Sequence, residues 1–492
     1  MLHGWIMLAT MAVYFVTLLW LSRGRRQSDD NESFFRGHRS SPWGMVAFGM
    51  IGASISGVSL ISVPGWVGSS GMTYLQMCLG FCFGYAAVAF LLLPLYYRLR
   101  LTSIYGYLSL RFGRRAHRTG ALFFLLSKLT GAAARLYLAC LVLHQFVAAP
   151  LGLPYPVTAV VTLLLIWLYT RRSGIATLVR TDALQTACLL LAAAGLLWMS
   201  ADVLGLGFGG VVEAVRQSPM SRIFEWDSTS PQAFWRQFLS GVFIVIVMTG
   251  LDQDMMQKNL TCRTLREAQK DMCAYGLCFV PVNLLFLALG ILLYAVCGAQ
   301  GIAVPERGDA LLPTVVASGA LGMWVVVPFS IGLVAAAFSS ADSALTALTT
   351  SCCVDLLRLE ERGLSEPMRN AVRRRVHVLM AAAFLCCVLV FYAAGSGTVI
   401  DLIYRLASYT YGPLLGLYAY GMFTRRAASD RLIPAVAVAA PVVCGLLDHF
   451  APLWWGYTFG YELLMLNGLL TFLGLWLTGG RRRGLTCGHS AA

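Results

Sequence analysis

The hydrophobic residues of this chain fall into blocks of roughly twenty, the length a helix needs to cross about 30 Å of hydrocarbon. A segment inside a membrane must satisfy its own backbone polar groups, and a helix does so. The pattern therefore predicts thirteen helical spans, numbered here 1 to 13. They cover residues 4–22, 43–68, 75–97, 119–148, 155–170, 177–200, 234–254, 270–297, 319–350, 376–395, 399–421, 432–450 and 457–478.

The composition supports a membrane protein. Of the 492 residues, 58% are hydrophobic and 12% are charged, whereas a soluble globular protein has about a quarter of its residues charged. The first block ends in Arg23, Arg25 and Arg26 and has no firm charge before it, unlike a secretory signal. We therefore expect a retained first helix with its N-terminus outside.

The net charge of +14 is explained by topology. With the N-terminus outside, 30 of the 37 lysines and arginines lie in cytoplasmic segments, as the positive-inside rule requires. No nucleic-acid partner is implied. The expected location is the inner or plasma membrane, with the C-terminus in the cytoplasm. There is no phosphate-binding glycine loop and no metal spacing among the histidines or cysteines, so no enzyme is predicted.

Two spans have an interruption. Span 2 contains several glycines followed by Pro64-Gly65, and span 7 ends in Thr249-Gly250-Leu251-Asp252. Broken helices at matching positions of two halves are typical of transporter binding sites, because the unwound backbone lines a cavity. The alternative is that these glycines serve close helix packing.

Span 9 has a polar stripe inside the membrane. On a helix, positions 336, 339, 340 and 343 share one face, and Asp342 borders it. Oxygen ligands of this kind suit a small hard cation such as sodium. Serines also join helices to one another, but a carboxylate at this depth costs about 2.5–3.5 kcal/mol and so favours an ion site. Asp182 in span 6 is expected at the same depth, or else paired with Arg180.

Arg135 lies in span 4 between small residues. A guanidinium there is suited to a two-pronged contact with a substrate carboxylate. The alternative is a structural pair with Asp401, Glu462 or a backbone carbonyl. Asp401 and Arg405, four residues apart, are predicted to pair with each other.

Five motifs together resemble one family of membrane proteins. They are Ile55-Ser56-Gly57 continuing to Val63-Pro64-Gly65, Thr181-Asp182-Ala183-Leu184-Gln185, Asp252-Gln253-Asp254 with Gln257-Lys258, Phe338-Ser339-Ser340-Ala341-Asp342-Ser343, and Tyr411-Gly412-Pro413-Leu414-Leu415-Gly416. With the thirteen spans they resemble the sodium:solute symporter family, which includes proline permease and the sodium–sugar and sodium–sialic acid symporters. Lys258 stands where that family has an arginine.

The resemblance implies an all-α integral membrane protein with inverted five-helix repeats of the leucine-transporter type, each beginning with a broken helix. Residues 43–200 and 234–424 would be the repeats. Residues 1–42 would add a helix and a cytoplasmic loop, 201–233 an outside loop, and 425–492 two further helices and a basic tail.

The resemblance also implies sodium as the co-transported ion. Its site would use backbone carbonyls of Gly52, Ile55 and Ala336 and hydroxyls of Ser339 and Ser340. A second cation site would use Asp182, Ser339, Asp342 and Ser343. Asp342 replaces a hydroxyl of the sialic acid relatives, which leaves sodium and a proton as alternatives there.

For the substrate, an arginine in the same helix as Arg135 contacts the carboxylate in the sialic acid relatives. The positions that hold sugars in other members read Gln76-Met77-Cys78 and, over 243–248, an apolar run. A carboxylate-bearing substrate is therefore favoured over a neutral sugar, with Gln76, Ser54, Ser56 and Ser59 as further polar candidates. The predicted function is sodium-coupled import of a small organic solute. The alternatives are a proton-coupled amino-acid transporter of the same fold and a solute-sensing membrane protein or channel.

Overall fold

The structure, a computed structural model, describes residues 2–23, 34, 41–55, 57–170, 175–395 and 399–480. These residues are predominantly helical, and the only β pairing among them is a single bridge between Ser41 and Cys262. The helices are α1 (Leu2–Arg23), α2 (Trp43–Ser54), α3 (Gly57–Ser70), α4 (Tyr74–Leu99), α5 (Gly106–Arg111), α6 (Arg114–Leu151), α7 (Tyr155–Thr170), α8 (Ile175–Val203), α9 (Phe208–Gln217), α10 (Phe234–Gly250), α11 (Gln253–Asn259), α12 (Leu265–Gln300), α13 (Leu311–Ser318), α14 (Met323–Leu356), α15 (Glu366–Ala394), α16 (Val399–Thr410), α17 (Gly412–Phe423), α18 (Ile433–Trp455) and α19 (Leu463–Thr478).

Many of these helices are long and apolar enough to cross a membrane. Within the described ranges there are seven such helices, or nine if each of two bent pairs is one span, and three shorter apolar helices accompany them. The predicted all-helical membrane fold is confirmed. The number thirteen remains a prediction.

The two bent pairs lie where the sequence predicts interrupted spans. Helices α2 and α3 meet at 59°, and helices α10 and α11 meet at 69°. Ile55 leaves α2 in an extended conformation, while Ser56 lies outside the described residues. At the second break Asp252 is extended, and its carboxylate accepts hydrogen bonds from the backbone N–H groups of Asp254 (2.9 Å) and Met255 (3.3 Å), which caps α11.

Helix α14 lies at the centre of the bundle. It is buried almost throughout, and it packs against α2, α6 and α8. Small residues allow the close approach that membrane helices use in place of hydrophobic driving force. A Cβ added to Gly52 of α2 would lie 2.1 Å from the hydroxyl of Thr186 in α8. The backbone of α2 at Gly52 therefore packs directly on Thr186 of α8, and the side chains of the polar stripe face protein on every side.

The predicted pairing of Asp401 with Arg405 is wrong, because each of the two side chains contacts a different residue. The Arg405 guanidinium lies 3.5 Å from the Asp448 carboxylate on α18, and Asp401 accepts a hydrogen bond from the Tyr461 hydroxyl at 2.6 Å. Spacing along α16 allows the local pair, but the neighbouring helices offer each side chain a partner across the bundle.

The contact of Gly290 in α12 with the backbone of α3 allows a test of close helix packing. A Cβ there would lie 2.3 Å from the carbonyl oxygen of Pro64 in α3, whereas a Cβ at Gly298 of the same helix meets nothing within 4 Å. We expect Gly290→Ala to lower stability by about 1–3 kcal/mol, as overpacking does, because a backbone carbonyl has little freedom to move. The measurement is thermal unfolding of the detergent-solubilised protein. Gly298→Ala is the control and should unfold at or slightly above the wild-type temperature, and equal melting of the two variants would contradict the packing.

Candidate functional site

The five candidate sodium ligands lie on two helices that touch. Gly52 and Ile55 are at the end of α2, and Ala336, Ser339 and Ser340 are in the middle of α14. All five are buried. The Ser340 hydroxyl lies 2.8 Å from the Ala336 carbonyl, to which it donates a hydrogen bond. Since the last carbonyls of a helix lack an intrahelical partner, the break after α2 adds oxygen atoms that suit a hard cation.

The candidate second cation site is centred on Asp182 of α8, which is fully buried. Ser339 donates a hydrogen bond to Asp182 Oδ1 at 2.8 Å, and Ser343 lies 3.5 Å from Oδ2. The structure thus brings Asp182 together with both serines, as the sequence predicts. Ser339 belongs to both candidate sites, so the sites are adjacent.

Asp342, the fourth residue of the candidate second cation site, faces α7. Asp342 accepts a hydrogen bond from the hydroxyl of Tyr169 on α7. Its other oxygen is buried and has no hydrogen-bond partner among the described residues. Asp342 is therefore next to the Asp182 cluster along α14 but contacts a different helix.

A lysine that the sequence analysis places in a motif, but in neither candidate site, is bound to the Asp182 cluster. Lys258 of α11 is 1% exposed, and its Nζ lies 2.8 Å from Asp182 Oδ2 and 2.6 Å from the Ser343 hydroxyl. It also lies 3.7 Å from Asp254 Oδ1. Asp182 thus pairs with Lys258 and takes no part in the surface pair with Arg180 that was the alternative.

The ion pairs continue from Asp254 toward the middle of the bundle. Lys128 of α6 lies 2.7 Å from Asp254 Oδ2 and 3.2 Å from both oxygens of Asp252. Asp252 also accepts a hydrogen bond from the Tyr411 hydroxyl at 2.6 Å. A continuous row of contacts therefore runs from Ser339 through Asp182, Lys258, Asp254 and Lys128 to Asp252. We call it the buried ion-pair row.

A cavity of about 90 Å³ lies at the far end of this row. Helices α2, α4, α6, α10, α12 and α16 all contribute to its wall. Its lining combines charged and hydroxyl groups with aromatic rings. The residues used below are Ser54, Phe81, Tyr85, Lys128, Arg135, Asp252, Tyr275, Phe279, Tyr404 and Tyr411.

Arg135 is the cation of this cavity that lacks a partner. Within the ranges that the structure describes, its guanidinium makes no hydrogen bond or ion pair, whereas Lys128 is bound by two carboxylates. The partners considered as structural alternatives bind elsewhere, since Glu462 pairs with Arg236 at 2.5 Å and Asp401 accepts from Tyr461. The five donors of a guanidinium are thus available to a ligand in the cavity.

The other predicted substrate residues are divided. Ser54 lines the cavity and its hydroxyl contacts that of Tyr275. Gln76 is fully buried outside it, where it donates to the Gln232 carbonyl (2.9 Å) and accepts from the Glu225 N–H (3.0 Å) of the loop between α9 and α10. Ser59 is half-buried on α3 and does not line the cavity, and Ser56 lies outside the described residues.

Sequence reasoning missed Lys258 and the aromatic lining. The sequence did contain a signal for Lys258. Asp254 and Lys258 are four residues apart at the end of interrupted span 7, and Asp182 lies near the start of span 6. The aromatic residues had no such signal. Tyrosines and phenylalanines occur throughout the spans, and only the packing selects the ones that line the cavity.

The comparisons with known proteins agree with this architecture. The sequence profile of the sodium:solute symporter family matches residues 34–431. The chain is 24% identical over 420 residues to the human sodium/iodide cotransporter, covering 82% of this chain and 63% of that protein. It is 23% identical over 444 residues to the mouse sodium-coupled monocarboxylate transporter 2, covering 87% and 70%.

A solved structure shares the fold. A Na⁺-coupled sialic acid symporter, in a substrate-bound outward-open state with a novel Na⁺ site, superposes with a TM-score of 0.80. It covers 97% of each chain at 19% sequence identity. The likeness extends over nearly the whole chain.

The buried ion-pair row predicts strong coupling between Lys128 and Asp254. Replacing one partner of a buried pair leaves an uncompensated charge and costs about 3–5 kcal/mol. We expect Lys128→Met to lower the melting temperature sharply, and Lys128→Met with Asp254→Asn to lose less than the sum of the single losses, by about 0.5–3 kcal/mol. Thermal unfolding of the four proteins in detergent gives this coupling. Lys270→Met, at an exposed lysine on α12, is the control, and strictly additive losses would contradict the pairing.

Proposed function

This chain belongs to the sodium:solute symporter family, and from that premise we propose that it imports a small organic anion together with sodium. The chain spans 63% of the human sodium/iodide cotransporter and 70% of the mouse monocarboxylate transporter. Those relatives are named for small anions that move with sodium, which supports an anionic substrate here. As a multi-pass membrane protein, the chain has the fold that such transport needs.

The observation that supports the anion is the unpartnered guanidinium of Arg135. Arg135 is half-buried, and a charge taken partly out of water is favoured by a partner of opposite sign, whereas the neighbouring cation Lys128 already has two carboxylates. A substrate carboxylate would satisfy Arg135 with two parallel hydrogen bonds. A neutral sugar would leave the charge without a partner.

The size of the cavity supports a small substrate. Its volume of about 90 Å³ is well above the roughly 10–15 Å³ that one water needs. A short monocarboxylate, the substrate class for which one relative is named, is small in this sense. The rings of Tyr85, Phe279 and Tyr404 would face the apolar part of such a substrate.

We propose that sodium binds where α2 ends against α14, with carbonyls of Gly52, Ile55 and Ala336 and hydroxyls of Ser339 and Ser340 as ligands. The hydrogen bond from Ser340 to the Ala336 carbonyl supports this set, because it keeps two of the ligands within 2.8 Å. Sodium there would hold the broken helix against the scaffold helix α14. The family resemblance supports the same residues.

The buried ion-pair row gives a physical route for coupling. It begins at Ser339, a proposed sodium ligand, and ends at Asp252, which lines the cavity beside Arg135. Sodium would bias the position of Ser339 and hence of Asp182 and Lys258. Because charges at these distances interact strongly in a dry interior, a change at one end would alter the field at the other.

The threading of the chain is proposed on the distribution of basic residues. The N-terminus would be outside and the C-terminus in the cytoplasm. Residues 43–200 and 234–424 would form the two inverted repeats, each beginning with a bent helix pair. In this arrangement α8 and α14 occupy different repeats, so the Ser339–Asp182 contact joins the two halves.

Arg135→Ala tests the substrate proposal. In proteoliposomes, we expect the wild type to take up short monocarboxylates in sodium and not in choline, with little uptake of sialic acid, neutral amino acids or hexoses. Arg135→Ala should raise the KM for the carboxylate at least about tenfold, since hydrogen bonds to a charged group contribute about 1.5–3 kcal/mol.

Two controls accompany this test. Arg135→Lys retains the charge without the two-pronged geometry and should lie between the wild type and Arg135→Ala. Arg216→Ala removes an exposed arginine of α9 and should behave as the wild type. An unchanged KM in Arg135→Ala would remove Arg135 from the substrate site.

Ser340→Ala tests the sodium site. We expect the sodium concentration for half-maximal uptake to rise about tenfold, because a ligand to a charged ion is lost. Ser330→Ala is the matched control, since Ser330 is equally buried on α14 and donates to its own helix at Val326. If Ser340→Ala and the wild type showed equal uptake at low sodium, Ser340 would not be a sodium ligand.

A further inference from the structure

The second cation site already has a cation, and the chain supplies it. We propose that the ammonium group of Lys258 is the resident ion of the site formed by Asp182, Ser339 and Ser343, so that this protein binds a single sodium ion. The inference deepens the proposed function and rests on it, because it concerns how many sodium ions accompany the substrate.

The contacts of the ammonium group match those of a bound ion. Lys258 Nζ lies 2.8 Å from Asp182 Oδ2 and 2.6 Å from the Ser343 hydroxyl. The Asp182 and Ser343 oxygens are the ligands that a sodium ion in this site would need. An ion close to both would have to lie where the nitrogen lies, next to a charge of its own sign, and Coulomb repulsion in a dry interior excludes that arrangement.

The remaining members of the set face partners other than an ion at Asp182. Ser339 donates its hydrogen to Asp182 Oδ1 at 2.8 Å. Asp342 is directed to the Tyr169 hydroxyl of α7. The two oxygens of the Asp182 carboxylate thus face the ammonium group and the Ser339 hydroxyl, so a second cation at Asp182 would lie next to the charge of Lys258.

The backbone holds the lysine in this position. Lys258 is the sixth residue of the short helix α11, whose N-terminus is capped by Asp252. Its own carbonyl accepts hydrogen bonds from the N–H (3.0 Å) and the hydroxyl (2.7 Å) of Thr261. Asp254, one turn earlier, lies 3.7 Å from Nζ on the other side. The ammonium group is thus fixed from the backbone, from Asp182 and from Asp254.

The test counts sodium ions. Equilibrium binding of radioactive sodium to the purified full-length chain in detergent, with sodium alone as the probe, should give one ion per chain for the wild type. Lys258→Met keeps the side-chain length and removes the charge, which frees Asp182 and Ser343, and we expect two ions per chain. Adding Asp182→Asn to Lys258→Met should return the count to one.

Controls separate the possible failures. Lys270→Met, at an exposed lysine, should bind one ion, and thermal unfolding and gel filtration identify any variant that does not fold. A wild type that binds two ions overturns this inference whether or not Lys258→Met folds, and so does a folded Lys258→Met that binds one. A wild type that binds no sodium overturns the proposed function itself.

Discussion

A buried charge is costly unless it is paired, and the arrangement of this protein's central helices depends on the pairs that five such charges make. An unpaired charge at membrane depth costs about 2.5–3.5 kcal/mol on insertion scales. Lys128, Asp182, Asp252, Asp254 and Lys258 are all buried, and each has at least one oppositely charged neighbour within 4 Å. These pairs connect α6, α8 and the α10–α11 break, which are far apart in the chain.

The broken helices serve the same requirement in another way. Where α10 ends, backbone carbonyls lose their helical partners, and the hydroxyls of Tyr96 and Tyr105 donate to the carbonyls of Gly250 and Leu251 instead. At the second break Asp252 uses its carboxylate both to cap α11 and to bind Lys128. One interruption therefore places a helix start, an ion pair and the wall of the cavity within a few residues of each other.

The sequence was informative wherever the membrane imposes a rule. Span length and charge asymmetry predicted the helical class, and glycine and proline predicted both breaks. Depth placed Asp182 level with the polar stripe of span 9, and the family resemblance grouped it with Ser339 and Ser343. Partner choice did not follow, because it depends on the distance between helices that are remote in sequence. Lys258, the separation of Gln76 from the cavity and the Arg405–Asp448 pair all required the packed structure.

Helices α6 and α8 belong to one proposed repeat and α11 to the other, so the pairs of Lys128 and Lys258 would act as a latch between these proposed halves. Such a latch is strong when dry and weak when wet, because water raises the local dielectric constant and competes for every donor. Hydration of the buried ion-pair row would therefore weaken these pairs and allow the two proposed halves to separate. Dissolved salt would then reach the latch only after the first waters had entered. The rate at which the two halves separate in a transport cycle would thus depend on the entry of water to the charged side chains of the row.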